Sequence, residues 1–173
     1  MDRGFNNGQL TTDHGQNTMY PTLRSRDDIL KMLDELSEHR QRILAACDQL
    51  PAERLIDPVY SATWSVLKNL THLAWAEAYM LAWIKKRPAA LPEAEWPAEP
   101  PAELPAIKTA FDEAHAAVIA FLKGNPETVL AERCLYGRAK SEQTVGGVLF
   151  HLIEHEIHHR GFVLHKLVKL QKG

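Results

Sequence analysis

The chain has little of what marks secreted, membrane or nucleic-acid-binding proteins. Its 173 residues include only two cysteines, Cys47 and Cys134, too few and too widely spaced for a disulfide scaffold or a C-x-x-C site. Neither sign of charge dominates, because 20 lysines and arginines face 22 aspartates and glutamates, so we expect no nucleic-acid partner. The first residues form no apolar signal segment, and no apolar run approaches the ~20 residues that span a bilayer. We therefore expect a cytoplasmic protein without a membrane partner.

The apolar periodicity is helical almost throughout, and few alternating runs of the β type remain. Four long helices are predicted, over about residues 25–50, 64–86, 105–123 and 141–169. Residues 87–105 hold six of the ten prolines and would form a long crossover between the second and third helices. The expected fold is all-α, an up-down-type four-helix bundle over residues 25–170. Residues 1–24, rich in Asn, Gly, Gln and Thr, would be a flexible extension.

Candidate capping residues precede three of the predicted helices. They are Ser25 or Asp27 for the first helix, Thr63 or Ser65 for the second, and the run 141–144 for the fourth. Residues 127–140, between the third and fourth helices, have a less regular pattern, and we predict a loop there.

A histidine-rich run near the carboxyl end is the most distinctive feature. Four of the nine histidines fall within residues 151–159. Residues four apart on a helix face one side, so His151, His155 and His159 form a ladder. Consecutive rungs rise about 6 Å and can share one metal ion, whereas His151 and His159, roughly 12 Å apart, cannot. The ladder predicts a metal site held by one neighbouring pair, either His151 with His155 or His155 with His159. The alternative is that these histidines only make the helix polar or pH-sensitive.

A metal site in the core of a bundle takes ligands from facing helices, and the predicted second helix offers His72. His72, Trp75, Tyr79 and Trp83 lie at helical spacing on nearly one side of that helix. Two interpretations stay open. The aromatic residues either pack as an ordinary core stripe or form the walls of a pocket beside a metal ion held by His72.

At these residues the chain resembles the DinB/YfiT-like superfamily. The resemblance rests on W-x(7)-H, from Trp64 to His72, together with the late H-x-x-x-H-x-x-x-H-R-G, from His151 to Gly161. It extends over about residues 25–170. It implies a four-helix bundle that holds one divalent metal ion, commonly zinc or nickel, on one histidine of the second helix and two of the fourth.

Carried onto the matching positions, the resemblance implies a defined ligand set. These ligands are His72, His155 and His159. The chain departs from relatives at Glu154 and Phe162, where they often have Asn and Gln, so no substrate can be carried over. Iron, manganese and copper also stay open as the metal, because imidazole suits several divalent ions.

The resemblance also bounds the function. Some relatives are transferases or isomerases that use small thiols. Three neutral imidazoles leave a dipositive ion with an open position, which could activate water or a thiol. We predict a metal-dependent enzyme that acts on a small molecule by hydrolysis or thiol transfer, with no catalytic side chain assigned, and we expect a homodimer. The alternative is a non-catalytic metal-binding module that dimerises through helix faces.

The same run contains the zincin motif H-E-x-x-H, from His155 to His159, with Glu156 as the potential general base. His165 follows as in the metzincin pattern, but Phe162 replaces the glycine that turns the chain. On a continuous helix His165 would face away from His159, and Glu156 would lie about 100° from the ligand side. A zinc peptidase is therefore the least favoured of the three functions.

Overall fold

The computed structural model describes residues 25–58 and 64–172, and its class is all-α with one small β-hairpin. The elements are α1 (Arg26–Asp48), α2 (Ala52–Ile56), α3 (Val66–Lys86), α4 (Leu104–Gly124), β1 (Arg133–Tyr136), β2 (Ser141–Thr144) and α5 (Val145–Lys172). Of the helices in these two ranges, none has both the length and the apolar character needed to cross a bilayer. The predicted extension over residues 1–24 lies outside the described residues, as does Thr63.

Side-chain caps begin three of the long helices as the sequence predicts. The hydroxyl of Ser25 accepts a hydrogen bond from the backbone N–H of Asp28, whose carboxylate accepts one from the N–H of Ser25, a complete capping box. The Ser65 hydroxyl accepts an N–H of the first turn of α3. Thr144 Oγ1 accepts the N–H of Gly147 at the start of α5.

Two local predictions were wrong. In place of a loop and a first helical turn, β1 and β2 form an antiparallel hairpin, with Arg133 opposite Thr144, and the last helix begins at Val145. All four residues of β2 are exposed and polar, so this strand lacks the apolar alternation that a half-buried strand shows. The second difference is α2, a single short helix after Pro51, between the first and second predicted helices, where no helix is predicted.

The long helices share a core made of two apolar clusters. α3 packs against α4 and α5, and α1 packs against the same two helices. One cluster, which we call the hairpin-side cluster, includes Trp83, Cys134 and Leu149. The other, the α2-side cluster, includes Leu55 and Phe111.

A layer of buried polar side chains lies between the two clusters. Arg40 of α1 donates to Glu156 of α5 from Nε at 3.0 Å and from Nη2 at 2.5 Å. The same Nη2 lies 3.0 Å from a carboxylate oxygen of Glu77 on α3. Nδ1 of His115 on α4 lies 3.5 Å from the other Glu77 oxygen. We call Arg40, Glu77 and Glu156 the buried ion cluster; it joins three of the long helices at mid-height.

The proline-rich connection after α3 folds back along that helix. Trp75 Nε1 donates to the backbone carbonyl of Pro97 at 2.8 Å, and Lys86 pairs with Glu95 at 2.7 Å. These contacts fix the connection beside the face of α3 that carries Trp75, close to the histidines.

Candidate metal centre

Three imidazoles meet where α3 packs against α5. Nε2 of His72 lies 3.1 Å from Nε2 of His155, and one ring nitrogen from each of His72, His155 and His159 lies within 4.8 Å of the others. Two nitrogens that bind one tetrahedral zinc ion at about 2.0–2.1 Å lie about 3.3 Å apart. The spacing of the three donors therefore fits a single ion.

The surroundings keep these imidazoles neutral. Burial, together with the neighbouring histidines, lowers the pKa of His155 to about 3 and that of His159 to about 4. Burial also lowers the pKa of His72. Only a neutral imidazole can bind a metal ion, so each ring has a lone pair available at neutral pH.

Asn69, one turn before His72 on α3, fixes the orientation of His159. The Asn69 amide nitrogen donates to the backbone carbonyls of Ser65 at 2.8 Å and Trp64 at 3.3 Å, so its oxygen faces Nδ1 of His159 at 3.3 Å. An acceptor there holds the proton on Nδ1 and leaves Nε2 unprotonated, as partners of metal-binding histidines commonly do. Asn69 is not among the residues predicted from the sequence; its spacing of three from His72 was the available signal.

The remaining histidines of the run lie outside this cluster. His151, one turn before His155, is exposed, and its ring lies 5.7 Å from that of Tyr136 and 5.8 Å from that of His155. α5 continues without a turn past Gly161 to Lys172, so His165 stays on the exposed surface of the helix.

The zincin interpretation fails at its general base. Glu156 is 5% exposed and belongs to the buried ion cluster, where Arg40 engages both of its carboxylate oxygens. It points into the core, away from the side of α5 that carries His155 and His159. A water molecule activated at the three imidazoles would be out of its reach.

The aromatic stripe of α3, together with Trp64 just before that helix, divides between the two interpretations. Trp64 is half exposed, and its ring centre lies 5.0 Å from that of His72, while the ring centre of Trp75 lies 6.1 Å from it on another side. Tyr79 and Trp83 are buried in the hairpin-side cluster. The nearer two rings line the candidate centre, and the farther two are core.

Comparison with known proteins agrees with this geometry. A family model described as the DinB superfamily matches residues 23–163. The chain belongs to the DinB superfamily. A crystal structure of a DinB-like protein from Bacillus cereus ATCC 10987 matches with a TM-score of 0.67 and 17% identity, over 86% of this chain and 94% of that one. At that identity the likeness shows a common fold alone. Among curated proteins, none matches the chain.

Membership in the superfamily is relevant to whether the three histidines can hold a metal ion. DinB-like proteins bind metals, and in this member three imidazoles lie close enough together to hold one ion. The resemblance that the W-x(7)-H and H-R-G motifs indicated is thus confirmed for the family.

Proposed function

We propose that His72, His155 and His159 bind one divalent metal ion and that the protein is a metal-dependent enzyme acting on a small molecule. The observation that carries the proposal is the convergence of three neutral imidazoles, with donor atoms within 4.8 Å, from two separate helices. Three neutral ligands leave the full dipositive charge on the ion and at least one position for water or substrate, the pattern of catalytic sites. The charge would be available for hydrolysis or thiol transfer.

The proposal gives a role to the bound ion and to the three residues around the histidines. The ion, when bound, would lower the pKa of a bound water or thiol. Asn69 holds His159 in the tautomer that leaves Nε2 free. Trp64 and Trp75 flank His72 and would cover two sides of a bound molecule, and the half-exposed ring of Trp64 supports access from solvent on its side.

Zinc and nickel are the metals we propose first, and the ligand set leaves other metals open. Imidazole binds zinc, nickel, copper and iron, whereas manganese prefers oxygen ligands. The donor set supports the first four over manganese.

We further propose that the described helices form the predicted four-helix bundle. We keep as proposals a cytoplasmic location and the division of the chain into an extension, residues 1–24, and the bundle. α1 and α5 run from the hairpin-side cluster to the α2-side cluster, and α3 and α4 run the opposite way. The proline-rich connection between α3 and α4 would then return the chain along the length of the bundle, which is consistent with a crossover.

Metal analysis of untagged protein, prepared without a nickel column, tests the ligand set. After reconstitution and desalting, wild type should hold close to one ion per chain, and His72→Ala, His155→Ala and His159→Ala should each lose most of it. His151→Ala and His165→Ala are matched controls on the same helix and should keep the ion. Full stoichiometry in the three ligand variants, or loss in His165→Ala, would refute the site.

Cobalt substitution tests whether the site is catalytic. The visible spectrum of the Co²⁺ protein should change when azide or a small thiol such as 2-mercaptoethanol is added, because an open position would accept the added ligand. A spectrum that neither ligand changes would mean a closed coordination shell and would favour the non-catalytic module.

A further inference from the structure

An apolar stripe runs along the outer side of α5. Phe150, Ile157 and Leu164 recur every seven residues and are each 45–47% exposed, and Val168, four residues further, is 47% exposed. Residues spaced by four and seven lie on one side of a helix. These four, which we call the outer stripe, are a majority of the seven large apolar side chains exposed in the described residues. The exposure is therefore concentrated on one helix face.

The outer stripe is separate from the candidate metal centre. At 100° per residue, Ile157 lies about 160° around α5 from both His155 and His159. Phe162, which is also exposed, has its ring centre 6.4 Å from that of His159 and lies on the side of α5 that carries the centre. A substrate bound at the imidazoles would not reach the stripe, so the proposed function leaves the stripe unexplained.

We propose that the outer stripe is the surface through which two copies of this chain pair, with α5 packed antiparallel against α5 of the partner. Apolar side chains at seven-residue spacing supply one contact position in each heptad of a helix–helix interface, and Val168 supplies a second beside Leu164. A two-fold axis brings the same patch of both copies together, so the stripe of one chain would cover that of the other.

The charges beside the stripe favour the antiparallel arrangement. Glu154 and Lys172 are both exposed and lie about five helical turns apart, hence on the same side of the stripe. In a parallel pair, Glu154 of one copy and Lys172 of the other would lie about 27 Å apart along the axis, so the two charges could not meet. Antiparallel pairing, with the axis near the middle of this segment, sets Glu154 of each copy near Lys172 of the other, and the symmetry makes that pair twice.

Gly161 provides a place for close approach near the middle of the stripe. A Cβ atom added there would meet nothing within 4 Å, so packing inside the chain does not require glycine. Glycine within a helix costs about 1 kcal/mol relative to alanine. Its lack of a side chain would let the backbone of a second helix come close at this point.

Mass measurements on variants of the stripe test the pairing. Wild type should sediment at about twice the chain mass of 19.5 kDa, with or without chelator, so the result is independent of the metal proposal. Ile157→Glu and Leu164→Glu should raise the dissociation constant about 30-fold or more, as loss of a central interface residue does. Ile56→Glu is the matched control, because Ile56 is 58% exposed on α2 and outside the stripe. Circular dichroism should report an unchanged fold for all three variants.

A charge exchange tests the orientation. Glu154→Lys should weaken the dimer about fivefold, and adding Lys172→Glu should restore it, because the exchanged pair is again of opposite sign. A monomeric wild type at 100 µM, or a dimer that the Ile157 and Leu164 variants leave intact, would overturn the proposed surface. Failure of the second substitution to restore the dimer would overturn the antiparallel pairing.

Discussion

Helices α3 and α5 form two polar clusters within a few residues of each other, and the two are built in opposite ways. The buried ion cluster joins Glu77 and Glu156 to Arg40, and all three residues are no more than 5% exposed. The candidate metal centre joins His72 to His155 and His159, all partly exposed and all neutral at neutral pH. His155 and Glu156 are adjacent in sequence, yet each belongs to a different cluster.

The difference lies in where the opposite charge comes from. Carboxylates buried in the core need a cation from the chain itself, and Arg40 supplies it with hydrogen bonds to Glu156 and an ion pair to Glu77. The imidazoles crowd three donor atoms together, and the effect of nearby Glu99 on the pKa of His72 is smaller than the opposite effect of burial. Their surroundings keep the lone pairs free for a cation from outside the chain. One cluster is therefore suited to holding helices, and the other to binding a ligand.

The largest effect should come from removing the internal cation. Arg40→Met keeps an unbranched apolar stem but removes the guanidinium, which lies over the Phe111 ring and pairs with both carboxylates. Glu156 then loses the cation that holds it, and Glu77 keeps the His115 ring at 3.5 Å. We expect a loss of about 3–5 kcal/mol in the free energy of unfolding of the metal-free protein, measured by urea denaturation.

A triple variant separates the charge from the packing. Adding Glu77→Gln and Glu156→Gln to Arg40→Met removes the uncompensated charges and should recover most of the lost stability. If Arg40→Met alone costs less than about 1 kcal/mol, the cluster does not depend on internal pairing and the comparison fails.

The local pattern of the sequence predicts the parts of each cluster whose residues are close together in the chain, and it does not predict the parts whose residues are far apart. The ladder of His155 and His159 depends on spacing within one helix, and so does the prediction that Glu156 faces elsewhere. His72 is 83 residues from His155. The expected bundle offered it as a candidate, the resemblance assigned it as a ligand, and the structure brings its ring to the other two.

The remaining features depend on pairings that no local pattern encodes. Arg40 contacts a carboxylate 116 residues away, and its position on α1 reads as an ordinary charged residue until the helices are packed. The β-hairpin was missed for a different reason, because β2 is short, polar and wholly exposed. Helix starts were the easiest to predict, since a cap such as Ser25 acts on an N–H three residues away.

A smaller effect should follow from loosening the orientation of His159. Asn69→Ala removes the acceptor at Nδ1, so the ring can rotate and change tautomer. We expect the metal affinity to fall about 10–100-fold, the usual range for such partners, by competition with a chromophoric chelator. Asn69→Asp keeps an acceptor and should retain most of the affinity. Equal loss in both variants would show that the metal affinity depends on the hydrogen bonds from the Asn69 amide nitrogen to the carbonyls of Trp64 and Ser65, and not on the bond to His159.

Acid should destabilise the metal-free centre through the histidines. Their pKa values in the folded protein, about 3 for His155 and about 4 for His159, lie below the value near 6.5 of an unfolded chain. As pH falls through 6.5 the unfolded state takes up protons and the folded state does not, so stability that is complete above that pH declines towards pH 4. Water screens these partly exposed rings and reduces the effect, so we expect the Tm of the metal-free protein to fall by about 5 °C between pH 7.5 and 5 from these groups.

The measurement is the difference between wild type and His155→Gln/His159→Gln, because other groups also titrate in this range. The double variant cannot be protonated at these positions, so its Tm should depend less on pH. Parallel curves for the two proteins would show that the histidines are as easily protonated in the folded chain as in the unfolded one.

The smallest effect should come from an ion pair that resembles the buried cluster in chemistry but not in burial. Lys108 of α4 donates to Asp48 of α1 at 2.6 Å, and the two side chains are 34% and 45% exposed. Water solvates both groups once the pair is broken, so neither is left as an unpaired charge in the core. Asp48→Asn should therefore cost only about 0.2–1 kcal/mol, several times less than Arg40→Met under the same urea titration. Equal losses for the two variants would mean that pairing as such, and not burial, sets the strength of these ion pairs.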